Sequence, residues 1–257
     1  LARGFIKSVL RRADMMNIAV IFAGGVGTRM RSKEKPKQFL TMHDKPIIIH
    51  TLEKFENHPQ INKIVIACVS DWIPYLENLI MRYGLEKVYK VVPGGKSSQE
   101  SIYHGLCAAE EATQGEKSVV LIHDGVRPLI NETLISANIN SVVKYGSAIT
   151  SIAAKETVVE VSDFGNVVNI PNRNSLRIAR APQSFWLNDI IDAHRRAIKE
   201  GKEDFVDSCS LMRYYGKNLH LIEGPQENIK ITTPDDFYIM RAIIDAKENA
   251  QIYGIEE

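Results

Sequence analysis

Between residues 17 and 153, short runs of β-branched and apolar residues alternate with longer amphipathic stretches. That alternation constrains the fold more than any other feature. Ala19-Val20-Ile21-Phe22 is a buried strand pattern that stops at Gly24-Gly25, and residues 63–69, 88–92, 118–122 and 148–153 are further runs of strand length. Between them, residues 46–56, 71–83, 97–111 and 132–144 read as helices, the third with Ile102, Leu106 and Ala109 on one face. Strand, helix, strand at this spacing predicts an α/β domain: a Rossmann-like, mostly parallel, twisted sheet with helices on both faces. The unbroken apolar run 118–122 belongs at its centre, where a parallel strand is covered on both sides.

The pattern changes after Lys155. Residues 157–161 and 166–170 flank Ser162-Asp163-Phe164-Gly165, the signature of a hairpin. We read about 155–180 as a projecting β-arm on a single domain spanning 16–257. Regular structure is expected to resume with a helix after Pro182, another over 204–215, a strand near 219–223 and a final helix. That helix opens at Thr233-Pro234-Asp235-Asp236, with Thr as N-cap and Pro in the first position. Residues 1–15 carry Arg3, Lys7, Arg11 and Arg12 but no apolar core or cleavage site of a secretory signal. They read as an N-terminal extension ahead of a start at Met15 or Met16, with an organelle-targeting helix as the alternative.

Composition removes several function classes. With 32 Lys+Arg against 31 Asp+Glu, net charge is +1, so no bulk positive field recruits nucleic acid. Trp72 and Trp186 stand alone, without the basic-aromatic interleaving of a nucleic-acid platform. Cys68, Cys107 and Cys209 are far apart, lack zinc spacing and suit a reducing cytoplasm. No apolar run reaches the ~18 residues of a membrane span.

The chemistry concentrates after the first strand, in Ala23-Gly24-Gly25-Val26-Gly27-Thr28-Arg29-Met30. Glycines there let backbone N–H groups approach an anion closely. The segment misses the dinucleotide fingerprint, because Met30 stands where the third glycine belongs. It misses the P-loop, because Thr28-Arg29 follows Gly27 in place of Lys-Ser/Thr. Lys35-Pro36-Lys37-Gln38-Phe39-Leu40 follows, with Pro36 stiffening the chain before Lys37. A glycine turn, Arg29 and Lys37 within fifteen residues make a site for a multiply charged phosphate. Asp163-Phe164-Gly165 spells a kinase metal motif, but no His-Arg-Asp loop precedes it, so it is turn chemistry.

Gly-Gly-x-Gly-Thr-Arg-Met followed by Pro-Lys-Gln-Phe-Leu resembles the cytidylyltransferases that activate polyol phosphates. Their two best-known branches act on 2-C-methyl-D-erythritol 4-phosphate in isoprenoid synthesis and on ribitol 5-phosphate in wall-polymer (teichoic acid) synthesis. The likeness runs from about residue 17 to 245 and implies a nucleotidyltransferase, GT-A-like fold. It implies that Ala23, Gly24, Gly25, Gly27 and Thr28 hold CTP, and that Gly95 and Ser101 read the base. Ser98 stands where the family usually has Arg. His123-Asp124-Gly125-Val126-Arg127-Pro128 matches the family's His-Asp-x-x-Arg-Pro and implies Asp124 beside Mg²⁺ and the α-phosphate. In the arm, Thr157 and Arg173 are implied to cross to the neighbour's site in a homodimer and bind the sugar phosphate. Ala181-Pro182-Gln183-Ser184-Phe185 matches Pro-Gln-x-Phe, with Ala181 in place of the usual Thr. Asn228-Ile229-Lys230-Ile231-Thr232 matches Asn-x-Lys-x-Thr, with Lys230 on the acceptor phosphate. Arg29, Lys37 and Lys230 are the implied catalytic cations. Gly125-Val126, Asp71-Trp72 and Ile170-Pro171-Asn172-Arg173 favour ribitol 5-phosphate as acceptor over methylerythritol 4-phosphate. The rival classes are an NAD(P)-dependent oxidoreductase and an inactive binding protein that kept the fold; a sugar-nucleotide glycosyltransferase is disfavoured, because the chain contains no Asp-x-Asp.

Overall fold

A computed structural model describes residues 15–24 and 35–253. In chain order the elements are β1 (Asn17–Ala23), a 3-10 turn (Lys37–Phe39), β2 (Thr41–Met42), β3 (Lys45–Pro46) and α1 (Ile47–Glu56). Next come β4 (Lys63–Cys68), a 3-10 turn (Ser70–Trp72), α2 (Ile73–Arg82), β5 (Val88–Pro93), α3 (Ser98–Thr113) and β6 (Val119–Asp124). Then follow α4 (Glu132–Tyr145), β7 (Ser147–Ala153), β8 (Glu160–Val161), β9 (Val167–Asn169) and a 3-10 turn (Arg173–Ser175). The chain finishes with β10 (Arg177–Trp186), α5 (Leu187–Lys199), α6 (Ser208–Tyr214), β11 (Leu221–Glu223) and α7 (Pro234–Tyr253).

Seven strands form one sheet in the order β11-β7-β10-β6-β1-β4-β5. β1 pairs in parallel with β4 and β6, β4 with β5, and β7 with β11, whereas β10 runs antiparallel between β6 and β7. Successive side chains of a strand point to opposite faces, and β1 shows it. Ala19, Ile21 and Ala23 face a core completed by Ile48, Leu52 and Phe55 of α1, Leu76 and Leu79 of α2, and Leu134 and Ile139 of α4. Ile18 and Val20 face the other core, with Ile102, Leu106 and Ala109 of α3 and Ile190 and Ile191 of α5. Helix α3 lies so close that a Cβ on Gly105 would sit 2.5 Å from Val20 Cγ1. A third cluster joins Val126, Leu129 and Ile231 to Met240 of α7. The α7 start is a reciprocal cap: the Thr233 N–H donates to Asp236 Oδ2 at 2.7 Å, and the Asp236 N–H donates to Thr233 Oγ1 at 3.4 Å. Among the described residues no helix is long and apolar enough to cross a membrane.

Two expectations change. Residues 177–186 are a strand of the main sheet that leads into α5, the helix expected after Pro182, and residues 177–180 therefore belong to the sheet rather than to the arm. A proline inside an apolar run usually marks a strand boundary, because it cannot donate to the ladder. Here the ladder shifts register between Ala179 and Gln183, and Pro182 sits in that irregularity. The helix expected from Asp71 begins instead as the 3-10 turn Ser70–Trp72 before α2. The hairpin stands as read, with β8 and β9 antiparallel around 162–165.

Candidate active site

The chain leaves β1 toward β4 and β5, then returns to place β6 on its other side. In an open parallel sheet such a reversal leaves a crevice outside the carboxyl ends of the two strands. Phe22 of β1 is paired with Asp124 of β6 at that edge. Two backbone loops meet on one flank. The Gly94 N–H donates to the Cys68 carbonyl at 2.6 Å, and the Gly95 N–H to Ser101 Oγ at 2.9 Å. A Cβ on Gly24 would lie 2.8 Å from that same Oγ, so the close approach of the first glycine to α3 needs the missing side chain. The Ser101 hydroxyl donates its own hydrogen to the Ser97 carbonyl at 2.9 Å. Ser101 thus clasps the two glycine loops and, as placed, offers a ligand only an acceptor lone pair.

Asp124, buried at the end of β6, is the electrostatic centre. Its Oδ2 accepts from Arg127 Nε at 2.7 Å, and its Oδ1 lies 2.5 Å from Lys230 Nζ. Burial alone would raise its pKa; the Arg127 and Lys230 charges overcome that and hold the carboxyl well below the usual range. Arg127 Nη1 donates to the Asn228 carbonyl at 2.9 Å, and Arg180 Nη1 to the Gln226 and Asn228 carbonyls at 2.7 and 3.1 Å. Asn228 Nδ2 donates to the Ala181 carbonyl at 2.8 Å. The end of β6, the irregular part of β10 and the segment carrying Lys230 are therefore tied together. They line a cleft of about 210 Å³ with Phe22, Ser98, Gln183 and Asp207.

The expected site residues fall into four groups. Asp124 and Lys230 meet in the cleft. Lys37 does not line the cleft but reaches its edge from far along the chain: its Nζ donates to the carbonyl of Ile231, the neighbour of Lys230, at 3.0 Å. Its 3-10 turn is anchored by Gln38 Nε2, which donates to the Ala23 carbonyl at 2.6 Å. Ala23, Gly24, Gly95 and Ser101 form the flank just described. Thr157 and Arg173 are exposed on the arm and do not line their own chain's cleft; Arg173 Nη1 donates to the Lys155 carbonyl at 3.1 Å. Arg29, Gly25, Gly27 and Thr28 lie outside the described residues.

Other groups resolve into supporting roles. His123 is fully buried, and burial pushes its pKa down to about 4, so the ring is neutral. Its Nε2 donates to the Arg127 carbonyl at 3.1 Å and fixes the turn after β6. Asp207 caps α6 through the Ser210 N–H and accepts from Gln183 Nε2 at 2.9 Å. Burial opposes its ionisation, but hydrogen bonds from Ser210 and Gln183 hold its pKa below the ordinary value. Burial pushes the Cys68 and Cys209 thiols up to about 12, which removes both as nucleophiles. Sequence reasoning gave no role to Arg127, Arg180 or Gln183. The spacing of Asp124 and Arg127, three residues apart with opposite charge, was a usable signal. Nothing in the local pattern distinguishes Arg180, an arginine between two alanines.

A family model described as IspD, 2-C-methyl-D-erythritol 4-phosphate cytidylyltransferase, matches residues 17–246. The chain belongs to this cytidylyltransferase family. It is 56% identical over 241 residues to a protein of Streptococcus agalactiae serotype V named ribitol-5-phosphate cytidylyltransferase, covering 94% of this chain and 100% of that protein. It is 39% identical over 229 residues to a Clostridium botulinum protein named 2-C-methyl-D-erythritol 4-phosphate cytidylyltransferase, covering 89% and 97% respectively. The solved 4-diphosphocytidyl-2C-methyl-D-erythritol synthase of Anaerococcus prevotii superposes with a TM-score of 0.78 at 24% identity, over 91% of this chain and 97% of that one. That match speaks to the fold alone. The family match runs from β1 into α7, so every residue that lines the cleft lies inside the shared region.

Proposed function

We propose that this cytidylyltransferase transfers CMP from CTP to D-ribitol 5-phosphate, giving CDP-ribitol and pyrophosphate. The observation that carries the choice of acceptor is the gap between 56% identity to a full-length ribitol-5-phosphate cytidylyltransferase and 39% to a methylerythritol-phosphate one. A phosphate oxygen of the acceptor attacks the α-phosphorus of CTP, the bond from that phosphorus to the α–β bridging oxygen breaks, and pyrophosphate leaves with the electron pair. The nucleophile is already an anion, so no general base is required. The barrier lies in holding two polyanions together and spreading the charge of the transition state. Lys230, Lys37 and Arg127 provide that positive charge, with Arg29 as a fourth cation on the sequence resemblance. His123 stays neutral and holds the backbone turn that aims Arg127.

Asp124 suits Mg²⁺, which commonly takes one or two carboxylates and completes its shell with substrate phosphates and water. Its buried Oδ1 meets the Lys230 ammonium but makes no aligned hydrogen bond, which leaves lone-pair capacity on a residue that lines the cleft. When bound there, the ion would neutralise charge on the triphosphate. We also read the protein as a cytoplasmic homodimer. Val158, Val159, Val161, Phe164, Val167, Val168 and Ile170 of the arm are all exposed, and a second copy is the partner that would cover them and receive Thr157 and Arg173.

Side-by-side assays with CTP and either acceptor, following pyrophosphate, test the reading. Higher kcat/KM with ribitol 5-phosphate is expected. A preference for methylerythritol 4-phosphate would transfer the protein to the other branch.

A further inference from the structure

Arg180 is out of place as a structural residue. It sits where the β10 ladder slips, half-buried at the lining of the cleft. A guanidinium at such depth normally meets a carboxylate, which offsets its lost hydration. Among the described residues no carboxylate pairs with Arg180. Asp124 is engaged by Arg127 and Lys230, Asp207 by Gln183 and Ser210, and Glu227 by Lys247. The Arg180 Nη1 reaches only two backbone carbonyls. Burial first, then the like charge of Arg127, pushes its pKa below the ordinary arginine value, with Glu227 opposing. The guanidinium is thus held with no paired carboxylate, and its Nε and Nη2 meet no acceptor among the described residues.

Position in the sheet says which ligand those donors face. The glycine loops follow β1 and β5, on one side of β6, whereas Arg180 lies on β10, on the other side. A nucleotide over the glycine loops leaves the β10 flank to the second substrate. We infer that Arg180 is an acceptor-binding residue that takes the phosphate of the polyol phosphate through its planar donors, working beside Lys230. The inference rests on the cytidylyltransferase reading above. It adds a residue that the family motifs quoted for this chain do not include. A guanidinium can meet a phosphate with two parallel hydrogen bonds, so the assignment also accounts for arginine rather than lysine here.

The experiment is steady-state kinetics of the full-length wild type, Arg180→Gln and Arg180→Lys, with ribitol 5-phosphate varied at saturating CTP and then the reverse. Thermal melts of all three proteins accompany it. The inference predicts that Arg180→Gln raises KM for ribitol 5-phosphate at least tenfold with KM for CTP within twofold of wild type. Arg180→Lys should fall between the two. Inorganic phosphate, inhibiting competitively against the acceptor, should weaken by a similar factor in Arg180→Gln. An arginine that merely braces the 226–228 backbone would instead disturb both substrates, lower the melting temperature and leave phosphate inhibition unchanged; that result overturns the assignment. So does an acceptor KM within twofold of wild type. If the wild type itself transfers CMP to neither polyol phosphate, the functional reading fails and the Arg180 assignment falls with it. An active wild type with an indifferent Arg180→Gln removes the assignment alone.

Discussion

In β1, Ile18, Val20 and Ile21 are sealed from solvent, whereas in the arm Val161, Val167 and Val168 stand open to it and Phe164 is 91% exposed. Both regions are built from the same β-branched residues. In the core those residues meet helices on two faces, and the strands they stabilise hold Asp124 and the glycine loops at a common edge. In the arm a two-stranded ribbon has nothing behind it, and such a hairpin is marginal alone in water. The difference teaches where each kind of residue acts. Core residues set the geometry of one chain's cleft; in the proposed homodimer, arm residues act against the second copy.

Breaking the buried centre should produce the largest effect. Asp124→Ala leaves Arg127 and Lys230 without their carboxylate, and removing one partner of a buried charge cluster costs about 3–5 kcal/mol. Urea unfolding should show this together with loss of transfer. An unfolding midpoint unchanged from wild type would mean that the cluster does not hold the cleft together.

Acid should discriminate the two regions next. His123 and His194 are buried, and that burial lowers each from 6.5 to about 4. Between those values the unfolded chain binds more protons than the folded one. Stability is therefore complete above about pH 6.5 and falls as the pH drops toward 4, by at most about 1.4 kcal/mol per histidine for each pH unit. Melting curves from pH 7 to 4.5 should slope accordingly, and His194→Gln should flatten part of the slope. The arm contains no histidine, so an arm variant should leave the slope as it is.

A smaller loss, about 1–3 kcal/mol, is expected for Gly105→Ala, which forces a methyl group against Val20 where α3 approaches β1. A neutral result in thermal melts would show that α3 can move away without cost. The smallest stability effect belongs to the arm. Phe164→Asp should change folding stability by no more than about 0.5 kcal/mol, as a surface substitution does, yet move the protein from dimer to monomer in sedimentation velocity. A dimer that persists would detach the arm from association.

How much was legible follows the same division. The parallel strands announce themselves because each is a short apolar run between helical periods, and Asp124 stands out because it ends the most apolar of them. The hairpin is legible from its Asp/Gly turn. β10 is not legible, because Pro182 breaks the pattern in a strand that the sheet accommodates with a register slip. Missing that strand also hid Arg180, which lies within the slip and lines the cleft. Asp207 caps α6 while lining the cleft, and its place before a short helix gives no sign of the second role. Ser101 was legible as a site residue through resemblance, but its clasp between two glycine loops depends on a fold contact that no local pattern encodes.

Turnover of Lys37→Ala and Lys230→Ala, measured with CTP and ribitol 5-phosphate alongside thermal melts, tests most directly whether cations from distant stretches act on one reaction. Each variant should lose roughly 10²-fold or more in kcat, the scale of deleting one preorganised donor; Lys37→Ala should keep a melting temperature close to wild type, whereas Lys230→Ala should melt lower, because it leaves the buried Asp124 with Arg127 alone. Near-normal turnover in either variant would contradict the account.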